Sequence, residues 1–286
     1  MLNSPRRVIL LLGDSITEQA FGSSRAPGWA SILADAYRRK ADILNRGYGG
    51  FTTRTLSPIA ARVYSALDDE RVRPALTTIF LGANDSNQDM GRTPSQSVPI
   101  AEFEARLLHL AVEAASRSDA LILIAPGPVD DRRWPTRSNA CVAAYSDAVA
   151  RVVERSRKVL GDAAPPIAFV SLFELAGAPR VERSSLERDA GAPWLELLSD
   201  GLHLSSSGNA LLAAVLLDTI ATSAPHVSPA ALPLDFPLWQ NIEQGPGAEA
   251  SAALEEGALA GFRDTEAREP TSIYAPPPQW PAPARA

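Results

Sequence analysis

The feature that most restricts how this chain can fold is an alternation of two kinds of apolar segment. Short apolar or β-branched runs stand at 8–12, 41–44, 77–81, 120–124 and 167–170, each soon followed by Gly, Pro or Ser. Between them lie longer stretches whose apolar residues recur every three or four positions. Trp29, Ile32, Leu33, Ala36 and Tyr37 do so within 28–40, and Phe103, Leu107, Leu110 and Ala114 within 99–116. Similar stretches occupy 53–67, 138–160 and 209–221. Runs of four or five residues suit buried strands and the periodic stretches suit helices. Pro58 must sit near the start of its helix or bend it. Alternation over five strands implies an α/β fold, a parallel sheet with helices on both faces in three α/β/α layers.

In such sheets the working site lies beyond the carboxyl ends of the strands. The loops that matter therefore follow Leu12, Leu44, Leu81, Ile124 and Val170. The first holds Gly13-Asp14-Ser15-Ile16-Thr17-Glu18, the second Asn45-Arg46-Gly47-Tyr48-Gly49-Gly50, and the third Gly82-Ala83-Asn84-Asp85. Asp200-Gly201-Leu202-His203 precedes the last helix and reaches the same edge if that helix returns to the sheet. A serine just past a strand, at the mouth of a helix, is a weak nucleophile until a base takes its proton. His203 is such a base, and Asp200, three residues earlier, can hold its other ring nitrogen. Gly50 N–H, the Asn84 side-chain amide and Ser15 N–H are donors for a developing oxyanion. Every role of an acyl-transfer site is then filled.

Each residue also has a structural reading. Ser15 suits a helix cap, and Gly50 suits a left-handed turn. Asp14 shapes its turn, and Asp85 orients or caps a neighbour rather than acting as a base. His109 reads as packing on an apolar helix face and His226 as inert. Arg46, Arg54 and Arg92 read as surface or structural pairs, and Cys141 as a small buried hydrophobe. Phe21, Phe51, Met90, Trp134 and Trp239 stand on or near the rim loops as pocket candidates, each also a candidate for the core.

The four blocks, in order and after the right elements, resemble the SGNH hydrolases, the GDSL-type esterase and lipase superfamily. The Ser, Gly, Asn and His of that name fall on Ser15, Gly50, Asn84 and His203, and its Asp-x-x-His on Asp200. The likeness spans about 8–221. It implies a flavodoxin-like fold, Ser15, Asp200 and His203 as catalytic residues, and an oxyanion hole of Ser15, Gly50 and Asn84. The text of 13–21, 44–54, 80–85 and 233–239 is similar to the isoamyl acetate-hydrolysing esterase branch. That branch implies a serine esterase for small short-chain, acetate-type esters, with no cofactor. Gly49 departs from the family, where serine is more frequent. A thioesterase or carbohydrate O-deacetylase uses the same machinery.

Composition narrows the alternatives. The 286 residues carry 27 Lys+Arg against 33 Asp+Glu, a net charge of −6, which disfavours a nucleic-acid partner. One cysteine and three histidines leave no Cys-rich or His-rich metal site. No apolar run approaches a membrane span, and the five-residue run at 8–12 is too short for a secretory leader, so a cytoplasmic protein is expected. A small-molecule ester is the expected partner, and no feature reports on homo-oligomers. The sequence divides into a catalytic domain at 1–240 and an Ala/Glu/Pro-rich tail at 241–286, expected to be flexible, with a marginal helix at 254–262. The resemblance does not explain the tail. An interaction module that docks the tail on a partner is the reading from a different functional class.

Overall fold

The computed structural model describes residues 7–23, 26–89, 91, 96–183 and 191–235. The tail at 241–286, with its marginal helix, and the pocket candidates Met90 and Trp239 lie outside the described residues, as does Arg92. The main strands are β1 (Arg7–Gly13), β4 (Ala41–Gly47), β5 (Leu76–Phe80), β6 (Leu121–Ala125) and β7 (Ile167–Ser171). They form one sheet in the order β4-β1-β5-β6-β7, every neighbouring pair parallel. A two-residue pair, β2 (Gly22–Ser23) with β3 (Ala26–Pro27), makes a separate antiparallel ribbon. The chain runs from β1 to one side and then crosses to the other, so the order reverses beside β1, the switch point of a flavodoxin-like sheet.

Strand alternation sorts the core into two halves. Ile9, Leu11, Phe80, Ile122, Ile124 and Val170 face one way, onto α2 (Trp29–Ala36) and α8 (Ser206–Ser223), through Trp29, Leu33, Leu212 and Leu216. Leu10, Leu12, Ile79, Leu121 and Leu123 face the other way, onto α3 (Thr53–Asp69), α4 (Ile100–Arg117) and α5 (Asn139–Leu160). These strands read as unbroken apolar runs because both faces are covered. Shorter helices are α1 (Ser15–Glu18), α6 (Leu172–Ala176) and α7 (Pro193–Glu196).

Several boundaries differ from the sequence reading. The second strand runs on to Gly47, because Asn45, Arg46 and Gly47 continue the ladder opposite Leu11, Leu12 and Gly13. The last helix starts at Ser206, where the Ser205 Oγ accepts from Gly208 N–H at 3.2 Å and caps it. Pro58 lies inside α3, on its exposed side, rather than at the first turn. His109 is exposed and does not pack, since it falls between the stripe residues Leu107 and Leu110. Cys141 is half-buried, and its thiol donates to the Ser86 carbonyl oxygen at 3.4 Å.

Candidate active site

Ser15 is the first residue of α1, directly beyond β1. Asp14 caps this helix, its Oδ1 accepting from Ile16 N–H at 2.9 Å. As the first helical residue, Ser15 has an N–H with no partner inside the helix. The turn stays tight because its neighbours press close. A Cβ on Gly47 would stand 2.1 Å from Glu18 N, so β4 can lie against α1 only with glycine there. Asn45 completes the join, its Nδ2 donating to Thr17 O at 2.6 Å and its Oδ1 accepting from Gly47 N–H at 2.8 Å.

His203 reaches Ser15 from 188 positions away. Trp29 brings them together. Its backbone N–H donates to Asn209 Oδ1 on α8 at 3.0 Å, and its indole N–H to Ile16 O on α1 at 3.3 Å. The turn before α8 is closed by a bridge between Leu198 and Leu204 and by Ser199 N–H on His203 O at 2.8 Å. Within it, Asp200 Oδ1 accepts from Leu202 and His203 N–H, and Asp200 Oδ2 lies 2.7 Å from His203 Nδ1. The proton on Nδ1 then leaves Nε2 free to accept, and Nε2 is 2.9 Å from Ser15 Oγ. Partial burial pushes the Asp200 carboxyl up, but the hydrogen bonds from the His203 ring and from the His203 and Leu202 N–H groups outweigh it, and its pKa lies below the usual range.

Asn84 follows β5 and is buried. Its Oδ1 accepts from Arg137 Nη2 at 3.2 Å and its Nδ2 donates to Phe51 O at 3.0 Å. A second amide hydrogen remains. Gly50 is exposed with φ +77°, the left-handed region that glycine enters at no cost. Its N–H enters none of the described hydrogen bonds. The Glu18 carboxylate accepts from Gly49 N–H, and Gln96 Nε2 donates to Gly50 O at 3.0 Å. A hydroxyl, an imidazole, a carboxylate and unpaired donors are therefore assembled beyond the carboxyl ends of the strands.

The remaining sequence candidates separate. Trp134 stands edge-on to His203, ring centroids 6.3 Å apart, and its indole N–H donates to Asp200 O at 3.1 Å. Phe21 is 45% exposed at the end of the turn after α1. The Phe51 ring stacks on Tyr48 and packs against the core, so it is the Phe51 carbonyl that meets Asn84. Asp85 caps α3, its Oδ1 accepting from Thr53 N–H at 2.9 Å and Thr53 Oγ1 at 2.6 Å. Arg54 pairs with Glu102, while Arg46 turns back to the Asn45 carbonyl at 2.9 Å. His226 lies at the other edge, by a groove of about 510 Å³ that Arg73, Ser118, Asp119 and Pro165 also line. Those residues precede the strands, so the groove is far from Ser15. No group of three or more His, Cys, Asp or Glu among the described residues is placed to hold a metal. No helix among them is long and apolar enough to cross a membrane.

Sequence reasoning assigned no chemistry to Asp130 or Arg137. Asp130 N–H donates to Gly201 O at 2.8 Å, and Arg137 is buried against Asn84. A signal was present for Asp130 alone: the charged run 130–133 lies in the loop after the fourth strand, on the edge where sites form, and Arg137 stands outside that run.

Comparison with known proteins gives the family and the fold. Residues 11–211 match the GDSL-like lipase/acylhydrolase family. A GDSL esterase/lipase of Arabidopsis thaliana is 33% identical, covering 89% of this chain and 100% of that protein. The isoamyl acetate-hydrolyzing esterase 1 homolog of Bos taurus is 34% identical, covering 82% of this chain and 88% of that one. The crystal structure of a lipase/acylhydrolase from Enterococcus faecalis shares the fold, with a TM-score of 0.56 at 23% identity, covering 80% of this chain and 98% of that one. With residues 11–211 matched and relatives 33% and 34% identical over more than four fifths of its length, this chain belongs to the GDSL-like lipase/acylhydrolase family.

Proposed function

We propose that this carboxylic ester hydrolase is a serine esterase that cleaves small esters of short acids, acetates foremost, through an acyl-enzyme on Ser15. One observation carries the reading: the unbroken path from Asp200 through His203 to Ser15, at 2.7 and 2.9 Å. In this reading His203 Nε2 takes the Ser15 proton as Oγ adds to the ester carbonyl. Asp200 holds the tautomer and stabilises the imidazolium. Ser15 N–H, Gly50 N–H and the second Asn84 amide hydrogen receive the oxyanion. As the intermediate collapses, the bond to the leaving alcohol breaks and His203 gives that alcohol its proton. A water, deprotonated by His203, then attacks the acyl group. The acid departs and Ser15 Oγ recovers its proton from His203. No metal or cofactor enters these steps.

The preference for a short acid is supported by the likeness to the bovine isoamyl acetate-hydrolyzing esterase 1 homolog. Trp134 beside the imidazole supplies apolar surface for a small alkyl group, and Phe21, exposed just after α1, is a second candidate.

Hydrolysis of p-nitrophenyl acetate, butyrate and octanoate by wild type and Ser15→Ala tests this. Rates that fall with chain length and vanish in the variant, with a fluorophosphonate probe labelling wild type alone, are expected. Turnover confined to acyl thioesters or acetylated sugars would overturn the substrate class. Equal turnover by Ser15→Ala would overturn the site.

A further inference from the structure

Arg137 is 2% exposed, in the loop that follows β6. Its two terminal nitrogens donate to neighbouring oxygens, Nη1 to Ala83 O at 2.9 Å and Nη2 to Asn84 Oδ1 at 3.2 Å. The guanidinium carbon stands 5.5 Å from the centre of the Trp134 ring. Trp134 in turn donates to Asp200 O and stands edge-on to His203. One buried cation thus touches the residue placed at the oxyanion and the residue packed against the acid–base pair. Its Nε has no hydrogen-bond partner among the described residues, a cost that buried polar groups seldom carry without a role.

The two Nη contacts explain why the group is arginine. A planar fork meets two oxygens side by side and offers a flat face to an indole, which lysine's single ammonium cannot do. Asn84 has two ways to lie, with its amide oxygen or its nitrogen toward the oxyanion, and only the second can stabilise it. A donor at Arg137 Nη2 accepts no alternative, because it must face Oδ1.

We propose that Arg137 is a positioning residue for the hydrolysis. Its guanidinium on Oδ1, opposite the Phe51 carbonyl on Nδ2, locks the Asn84 amide so that the second Nδ2–H faces the oxyanion. This rests on the site reading above.

A double-mutant cycle tests it, with kcat and KM for p-nitrophenyl acetate in wild type, Arg137→Lys, Asn84→Ala and the double variant. Losing an oxyanion donor typically costs about 10²–10³ in kcat. Arg137→Lys keeps the buried charge but loses the fork, so we expect kcat to fall about 10- to 100-fold with KM within about threefold. In the Asn84→Ala background the same change should cost less than about fivefold, since the amide it orients is gone. Equal losses in both backgrounds, or no loss in either, would overturn the assignment. Thermal melts accompany each variant, and Arg137→Gln, which keeps one donor for Asn84, is made in parallel. If both Arg137 variants unfold, the residue is a fold determinant and the positioning role is overturned. Ser15→Ala is the control: if it stays active the site reading falls, whereas an inactive control with an additive cycle removes only Arg137.

Discussion

Replacing Asp14 with asparagine should stabilise the chain more, relative to wild type, as pH rises. Asp14 is fully buried, its Oδ1 accepts from Ile16 N–H, and its Oδ2 has no partner. Burial pushes its carboxyl from 3.8 up to about 7. The Asp85 charge adds to that, and the Ile16 N–H and Arg137 guanidinium oppose it. The folded-state pKa thus lies above the unfolded one. Between the two values the native chain holds a proton that the unfolded chain has released, so stability falls as pH rises through that window. From about pH 5 to about pH 7 the group crosses two units at about 1.36 kcal/mol each, roughly 3 kcal/mol in all. Asparagine keeps the cap on Ile16 and titrates not at all. Its idle amide hydrogens add a constant offset, and Asp85 titrates in both chains, so neither should set the slope of the difference. Urea unfolding at about pH 5, 6, 7 and 8 gives the curves. The gain of Asp14→Asn over wild type should grow by about 3 kcal/mol across this range. A difference that stays flat, or shrinks with pH, would refute the reasoning that burial without a second partner holds this proton.

Three further outcomes follow from the geometry. Gly47→Ala puts a Cβ 2.1 Å from Glu18 N and 2.4 Å from Thr17 C, both backbone, so thermal unfolding should show a loss of about 3 kcal/mol or more and esterase activity should fall with it. Asn84→Ala should lower kcat about 10²- to 10³-fold with little change in KM, measured by steady-state hydrolysis; an unchanged kcat would remove it from the oxyanion hole. Thr53→Val deletes the hydroxyl that donates to Asp85 Oδ1 at 2.6 Å and should cost about 1–3 kcal/mol. Burial already raises the Asp85 carboxyl to about 6, and losing a donor to the charged form raises it further. The Thr53→Val loss should therefore be larger at about pH 8 than at about pH 5, read by denaturant melts at both.

Much of the fold was legible because both faces of the sheet are covered. Strands such as 8–12 read as solid apolar runs, and helices such as 138–160 show a clear stripe. What the text hid was hidden for local reasons. Asn45-Arg46-Gly47 looks like a loop, and only the ladder opposite Leu11–Gly13 makes it strand. His109 looked like part of an apolar face, but the helical turn leaves it outside the stripe of Leu107 and Leu110.

The sequence by itself determined the chemistry on offer and the edge where it gathers. A hydroxyl after the first strand, an amide after the third, and a carboxylate three residues before an imidazole are local arrangements, set by turn and cap geometry within a few residues. Tertiary structure alone decided that His203 Nε2 meets Ser15 Oγ, because the link runs through Trp29 to α1 and α8. It also decided what the Asn84 amide meets, a buried Arg137 from another loop on Oδ1 and the Phe51 carbonyl on Nδ2. Contacts between distant segments depend on packing, and packing leaves no period in the sequence to read.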